Sequence, residues 1–278
     1  MQRAWKRYPV TQFSADGTAY SLLGAESAPV VVLIHGLGLN RDITWADFLA
    51  PLSKHYRVLS YDLCGHGQSG LSKEQASLSV LARQLADLLD ELGIERASLL
   101  GFSLGGMINR RFAMDYPSRV ESLVILNSPH QRDPEAQRLV EERARNTDEG
   151  GIEATIDTTL ERWFTPAFRA NNASRVQQVR EVVLANDLQN YVQHRQVLAV
   201  GVTELIKPNP PIPHACLVIS CEHDSGSTPA MSHAISAEIP GSQTVIVQSL
   251  QHLGLLERPD LFLDPILSFL QQKRLIHS

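Results

Sequence analysis

The apolar pattern predicts an α/β fold, a mostly parallel central sheet flanked by helices with a helical segment inserted partway along the chain. Three observations carry this. The continuous apolar run of PVVVLIHG (29–36), ending in turn residues, suits a strand buried on both faces of a parallel sheet, and YRVLSYD (56–62) reads as a second buried strand. These runs alternate with helical patterns at the spacing of βαβ units. The alternation stops near residue 130 and resumes near residue 215.

Taken in order, residues 9–24 read as a hairpin turning at Ala15, Asp16 and Gly17. The strand at 29–36 follows, then a weak helical pattern over 44–54 and the strand at 56–62. Leu78, Leu81, Leu85, Leu88, Leu89 and Leu92 form one apolar stripe at helical period, and Gly93 stands where a C-terminal cap belongs. Next come a strand at 97–102, a helix at 104–116 stopped by Pro117, and a strand at 120–126. Residues 130–214 show helical patterns and no strand, and KPNPPIPH (207–214) closes them as a proline-stiffened extended segment. The rhythm resumes with a strand at 215–220, a helix from Pro229, a strand at 244–247 and a last helix at 259–272. The expected division is a core of residues 1–130 and 215–278 with a helical cap at 131–214.

Composition narrows the function classes. At 278 residues the chain has enough core to need no metal or disulfide. A net charge of −5 leaves no basic surplus for nucleic acid, and no apolar stretch is long enough for a membrane helix. Three cysteines, an odd and low count, point to a reducing cytoplasm. Arg3, Lys6 and Arg7 precede no apolar run, so no signal peptide is expected. His214, Cys216, Cys221 and His223 resemble a metal cluster, but five strand steps separate the thiols by about 16 Å, too far for one zinc or a disulfide. Neither metal nor cofactor is expected.

The chemistry starts at GFSLG (101–105), which has the form G-x-S-x-G. The pattern alone is weak, but Ser103 follows a buried strand and opens a helix, the setting of a nucleophile elbow. A serine nucleophile needs a base, and in this chain order an acid and then a histidine should follow. His252 lies on a loop beyond the last predicted strand. Asp224, four residues past a strand end, is the favoured acid over Glu222 because its loop reaches the base. An oxyanion hole needs two donors. The backbone N–H groups of Leu104, after the nucleophile, and Leu37, in the turn HGLG (35–38), are the candidates.

Together HGLG, DLCGHGQS (62–69), GFSLGG, HDSGSTP (223–229) and QHLGLLERP (251–259) resemble the α/β-hydrolase superfamily, in its order. Within it, RWFTPAF (162–168) and HLGLLERP look like the 3-oxoadipate enol-lactonase and carboxylesterase branch. The resemblance implies an α/β-hydrolase fold and a serine hydrolase that cleaves small carboxylic esters or lactones through an acyl-enzyme. Trp163, Phe164 and Phe168 are candidates for an apolar wall of the substrate pocket, with ordinary packing of the cap on the core as the alternative. Arg132, Arg138, Arg143, Arg145, Arg162, Arg169 and Arg175 are candidates for a substrate carboxylate, although most such arginines are solvated helix faces. Two alternatives stay open: carbon–carbon hydrolysis of ring-cleavage products and a non-catalytic binding role. The first usually goes with a glycine-richer turn than HGLG and a tryptophan where this chain has Leu253. Cys64 departs from the usual pattern before GHG and is assigned to packing.

Overall fold

In a computed structural model, residues 9–277 are described; Arg3, Lys6 and Arg7 lie outside them. The first half runs β1 (Gln12–Phe13), β2 (Ala19–Leu23), β3 (Val30–Ile34), α1 (Arg41–Leu52), β4 (Arg57–Tyr61), α2 (Leu78–Glu91), β5 (Ala97–Phe102), α3 (Leu104–Asp115) and β6 (Val120–Leu126). Five helices follow: α4 (Pro134–Gly150), α5 (Glu153–Trp163), α6 (Pro166–Asn171), α7 (Ala173–Leu184) and α8 (Leu188–Val200). The chain then returns through β7 (Cys216–Cys221), α9 (Pro229–Glu238), β8 (Gln243–Val247), α10 (Gly254–Glu257) and α11 (Asp260–His277).

Among the described residues the strands form one eight-stranded sheet in the order β1-β2-β4-β3-β5-β6-β7-β8. β3 through β8 are parallel, and β1 and β2 form the expected antiparallel hairpin at one edge. Both faces are covered, so the parallel strands are almost continuously buried: every residue of β5 and β7 is buried. This is why their sequences are apolar runs rather than alternations.

The helices begin where polar side chains satisfy free amides. Ser77 accepts from the Val80 N–H at the start of α2, and Asn40 accepts from Ile43 at the start of α1. α1 therefore starts three residues before its predicted position. Its pattern was weak because it packs on the sheet with polar residues buried too. Arg41, fully buried, pairs with Asp62 at 2.7 Å. That pair ties the end of β4 to the start of α1, and gives the aspartate of the DLCGHGQS stretch a structural task.

The order of strands positions the site. β4 lies on one side of β3 and β5 on the other, so the loops leaving β3 and β5 diverge and leave a crevice at the strands' carboxyl ends. The loops after β6, β7 and β8 open on the same edge. Among the described residues no helix is long and apolar enough to cross a membrane.

α3 lies hard against that edge. A Cβ on Gly105 would stand 2.2 Å from the Ile34 carbonyl oxygen, and one on Gly101 would stand 2.1 Å from the Gly105 carbonyl oxygen. Backbone, not a movable side chain, is the obstacle in both cases. Gly105→Ala is therefore expected to cost about 3 kcal/mol or more, read as a lower urea midpoint with an unchanged slope.

Candidate active site

Ser103 stands between β5 and α3 with φ 55° and ψ −112°, a left-handed conformation that non-glycine residues rarely adopt. Such a residue stores roughly 1–3 kcal/mol and persists only where its surroundings hold it. Here the Ser103 N–H donates to the Leu126 carbonyl at 2.8 Å, and the glycines on either side let α3 close over the turn. The hydroxyl is thereby lifted above the sheet edge.

Two side chains from distant loops meet it. His252 Nε2 lies 3.2 Å from Ser103 Oγ. On its other side, His252 Nδ1 lies 2.6 Å from Asp224 Oδ2. A carboxylate accepts, so the proton sits on Nδ1 and leaves Nε2 free to accept from the serine hydroxyl. The imidazole packs beside Phe102, ring centroids 5.0 Å apart.

Asp224 is 3% exposed and fully engaged. Oδ1 accepts from the N–H groups of Gly226 and Ser227 at 2.8 and 2.9 Å, and Oδ2 also accepts from Asn127 Nδ2 at 2.9 Å. Burial works to raise its pKa, but the facing His252, the Asn127 amide and the Ser227 N–H outweigh it, holding the carboxyl below its ordinary value. Glu222, the competing acid, points elsewhere: it accepts from the Ser249 N–H at 2.9 Å and braces the loop after β8.

Asn127 was absent from the sequence expectations. Its signal was faint, a single asparagine just past a buried strand. Its φ of 45° turns the chain so that its amide reaches Asp224. Asparagine tolerates this conformation better than most residues.

Of the two residues whose amides are expected to face developing charge, Leu37 borders the space over Ser103 and Leu104 directly follows Ser103. The Leu37 N–H donates no backbone hydrogen bond among the described residues. Leu104 is the first residue of α3, so its N–H has no carbonyl one turn back within the helix.

A cleft of about 790 Å³, mouth included, opens over Ser103 and His252. The core supplies its floor through Leu37, Leu39 and Phe102, and the helices after β6 supply much of its wall. Of the three aromatic candidates, Trp163 borders the cleft, with its ring 6.1 Å from that of His252. Phe164 and Phe168 instead stack on each other at 5.2 Å, with Phe164 wholly inside the core. Trp163 faces the cleft because the end of α5 is bound to the histidine loop. The Leu253 N–H donates to the Trp163 carbonyl at 2.8 Å, and Thr165 donates through N–H and hydroxyl to Glu257 at 2.8 and 2.7 Å. The RWFTPAF and HLGLLERP stretches are thus two halves of one hydrogen-bonded junction.

Of the arginine candidates, Arg132, Arg143 and Arg162 border the cleft, joined by Arg195 of α8, which the sequence did not single out. Arg138 and Arg145 are exposed. Cys64 is buried with its thiol pushed up to about 11 by burial, and its Sγ lies 3.8 Å from His194 Nε2, away from the cleft. Cys216 and Cys221 occupy opposite ends of β7. Among the described residues no cluster of three or more His, Cys, Asp or Glu side chains is arranged to hold a metal ion.

Comparison with known proteins bears on this arrangement. The family model described as alpha/beta hydrolase fold matches residues 29–259. The (E)-2-((N-methylformamido)methylene)succinate hydrolase of Acinetobacter baylyi is 27% identical, covering 90% of this chain and 92% of the relative. The 3-oxoadipate enol-lactonase 1 of the same organism is 27% identical over 94% of this chain and 96% of its own. The crystal structure of the enol-lactonase from Burkholderia xenovorans superposes with a TM-score of 0.84 at 30% identity, covering 91% of this chain and 96% of that one.

The Asp224 environment fixes a pH dependence of stability. Its folded pKa lies below the unfolded value of about 3.9, so its contribution is complete above that value. The contribution is lost as pH falls through the lower, folded value. The stability gap between the native protein and Asp224→Asn should therefore be widest near pH 6 and narrow below about pH 4, as measured by urea unfolding along a pH series.

Proposed function

The chain belongs to the alpha/beta hydrolase fold family, and from that premise we propose that it cleaves small carboxylic esters or lactones with Ser103 as nucleophile, His252 as general base and Asp224 as the orienting acid. The observation that carries this is the unbroken chain of contacts from Asp224 Oδ2 through the imidazole to Ser103 Oγ, at 2.6 and 3.2 Å.

Ser103 Oγ attacks the carbonyl carbon while its proton passes to His252 Nε2. The new C–O bond displaces the carbonyl π electrons onto oxygen, where the Leu37 and Leu104 N–H groups stabilise the negative charge. The partial positive charge at the N-terminus of α3 acts in the same sense. Collapse of this intermediate expels the alcohol oxygen, which takes the proton from His252. In a lactone that alcohol stays tethered to the acyl chain. Water then attacks the acyl-enzyme, giving one proton to His252, and breaking the C–Oγ bond returns that proton to Ser103. Asp224 stabilises the transient imidazolium throughout without accepting its proton.

Residues 131–214 serve as a cap that walls the cleft and limits access of water and bulky substrates. Two of the similar proteins named above are enol-lactonases, which supports the lactone side of the assignment. A free Leu37 amide and a saturated Asp224 suit acyl transfer better than a binding role alone, which would need neither.

Ser103→Ala should fold with native stability, because the strained turn depends on the backbone, while ester turnover falls by about 10⁴-fold or more. A panel of short esters, longer esters, lactones and a ring-cleavage diketone measures this. Retained ester turnover in Ser103→Ala would exclude the assignment, and faster turnover of the diketone than of any ester would move it to carbon–carbon hydrolysis.

A further inference from the structure

We propose that the cleft selects substrates carrying at least two carboxylates, held by Arg132, Arg143, Arg162 and Arg195. The claim about binding stands on the cleft itself, and its catalytic consequence rests on the function proposed above.

These four arginines come from the segment before α4, from α4, from the end of α5 and from α8, yet all border the space above Ser103 and His252. Among the described residues none is within 4.0 Å of a carboxylate. Three arginines elsewhere in the same segment have carboxylate partners instead, while Arg145 and Arg175, also outside the cleft, have none among the described residues. Arg138 pairs with Glu135 and Glu142, Arg169 with Glu161, and Arg180 with Asp157.

The cleft arginines meet only neutral acceptors. Arg132 donates to the Leu198 and Ala199 carbonyls and to Gln137, Arg162 to the Thr159 hydroxyl, and Arg195 to the Tyr191 hydroxyl. Arg195 is 8% exposed, and its Nε has no acceptor; nor does that of Arg132. Burial first, and then mutual repulsion, pull Arg132 and Arg162 down to about 10, which leaves both charged at neutral pH. Arg143 is in electrostatic range of the other three, so the four act as one field.

The carboxylate among the residues bordering the cleft, Asp224, is already occupied by His252, Asn127 and two loop amides. The cleft is therefore strongly cationic in a chain whose net charge is −5. A planar guanidinium fork matches a carboxylate with two parallel hydrogen bonds. One carboxylate would neutralise a single member of the cluster, whereas two spanning it relieve most of the repulsion. Val140, Leu198 and Leu39 offer apolar surface for the hydrocarbon joining them.

Calorimetry with Ser103→Ala, which removes turnover, tests the binding. Glutarate should bind roughly tenfold or more tightly than butyrate, and glutaramide should not bind measurably. Arg143→Gln and Arg195→Gln should each weaken glutarate by about tenfold or more, while Arg138→Gln, on the exposed face of α4, leaves it unchanged. The two cleft variants cover the case in which one fails to fold, and the comparison of glutarate with butyrate needs neither. Equal binding of butyrate and glutarate overturns the proposal, as does loss with Arg138→Gln equal to that with Arg143→Gln. Hydrolysis by the native protein of phenyl acetate and of a phenyl ester carrying two carboxylates separates this from the assigned reaction. Turnover without glutarate preference sinks the carboxylate selectivity alone, and glutarate preference with no ester turned over sinks the reaction alone.

Discussion

Backbone contact between the first turn of α3 and the ends of β3 and β5 is the constraint on which the rest of the site depends. Gly105 touches the Ile34 carbonyl region and Gly101 touches Gly105, with no room for a methyl group at either. That approach holds Ser103 at its positive φ and sets the Leu104 amide next to the turn after β3, where Leu37 lies. The strain at Ser103 is offset by the close packing around it, as is usual where a reactive group must stand clear of a sheet. Everything else in the site is brought to this fixed point by loops from the same sheet edge.

Those loops are held in turn by hydrogen bonds among themselves and to the inserted helices. Asn127, at the end of β6, reaches across to Asp224, and the Gly226 and Ser227 amides close the other side of the carboxylate. A carboxylate with all its acceptor positions used cannot rotate, so the His252 ring that it holds has one orientation. The histidine loop is in turn pinned to the end of α5 through Trp163, Thr165 and Glu257. The cleft wall at Trp163 and the His252 loop are therefore one mechanical unit. A change in the inserted helices near residue 165 would be felt at His252 as well as in the cleft.

Charge is distributed against the average of the chain. Acidic side chains prevail over the molecule, yet four arginines of the inserted segment without carboxylate partners, Arg132, Arg143, Arg162 and Arg195, gather over Ser103. Concentrating one sign in a concave, partly dry site focuses the field there and raises the local concentration of oppositely charged ligands. Composition alone hid this, because a sum over the chain averages a cationic cleft with an acidic exterior.

The strands, most helices and the order of the motifs were legible because they depend on local chemistry. Apolar runs record burial on both faces, Ser77 and Gly93 mark the ends of α2, and the G-x-S-x-G glycines record a turn that a side chain would block. α1 was misplaced by three residues because its first turn is chosen by Asn40 and by the buried Arg41–Asp62 pair, a partner far along the chain. The contribution of Asn127 and the separation of Trp163 from Phe164 and Phe168 were likewise beyond the sequence. So was the choice of which arginines enter the cleft, Arg195 among them. The sequence by itself determined the sheet and the elbow and named Ser103, Asp224 and His252 as candidates, since strands and elbow follow from neighbours a few residues apart and the candidates from their order along the chain. Only the tertiary structure decided which distant side chains meet, because that depends on how loops from five strand ends and the inserted helices pack over a single edge.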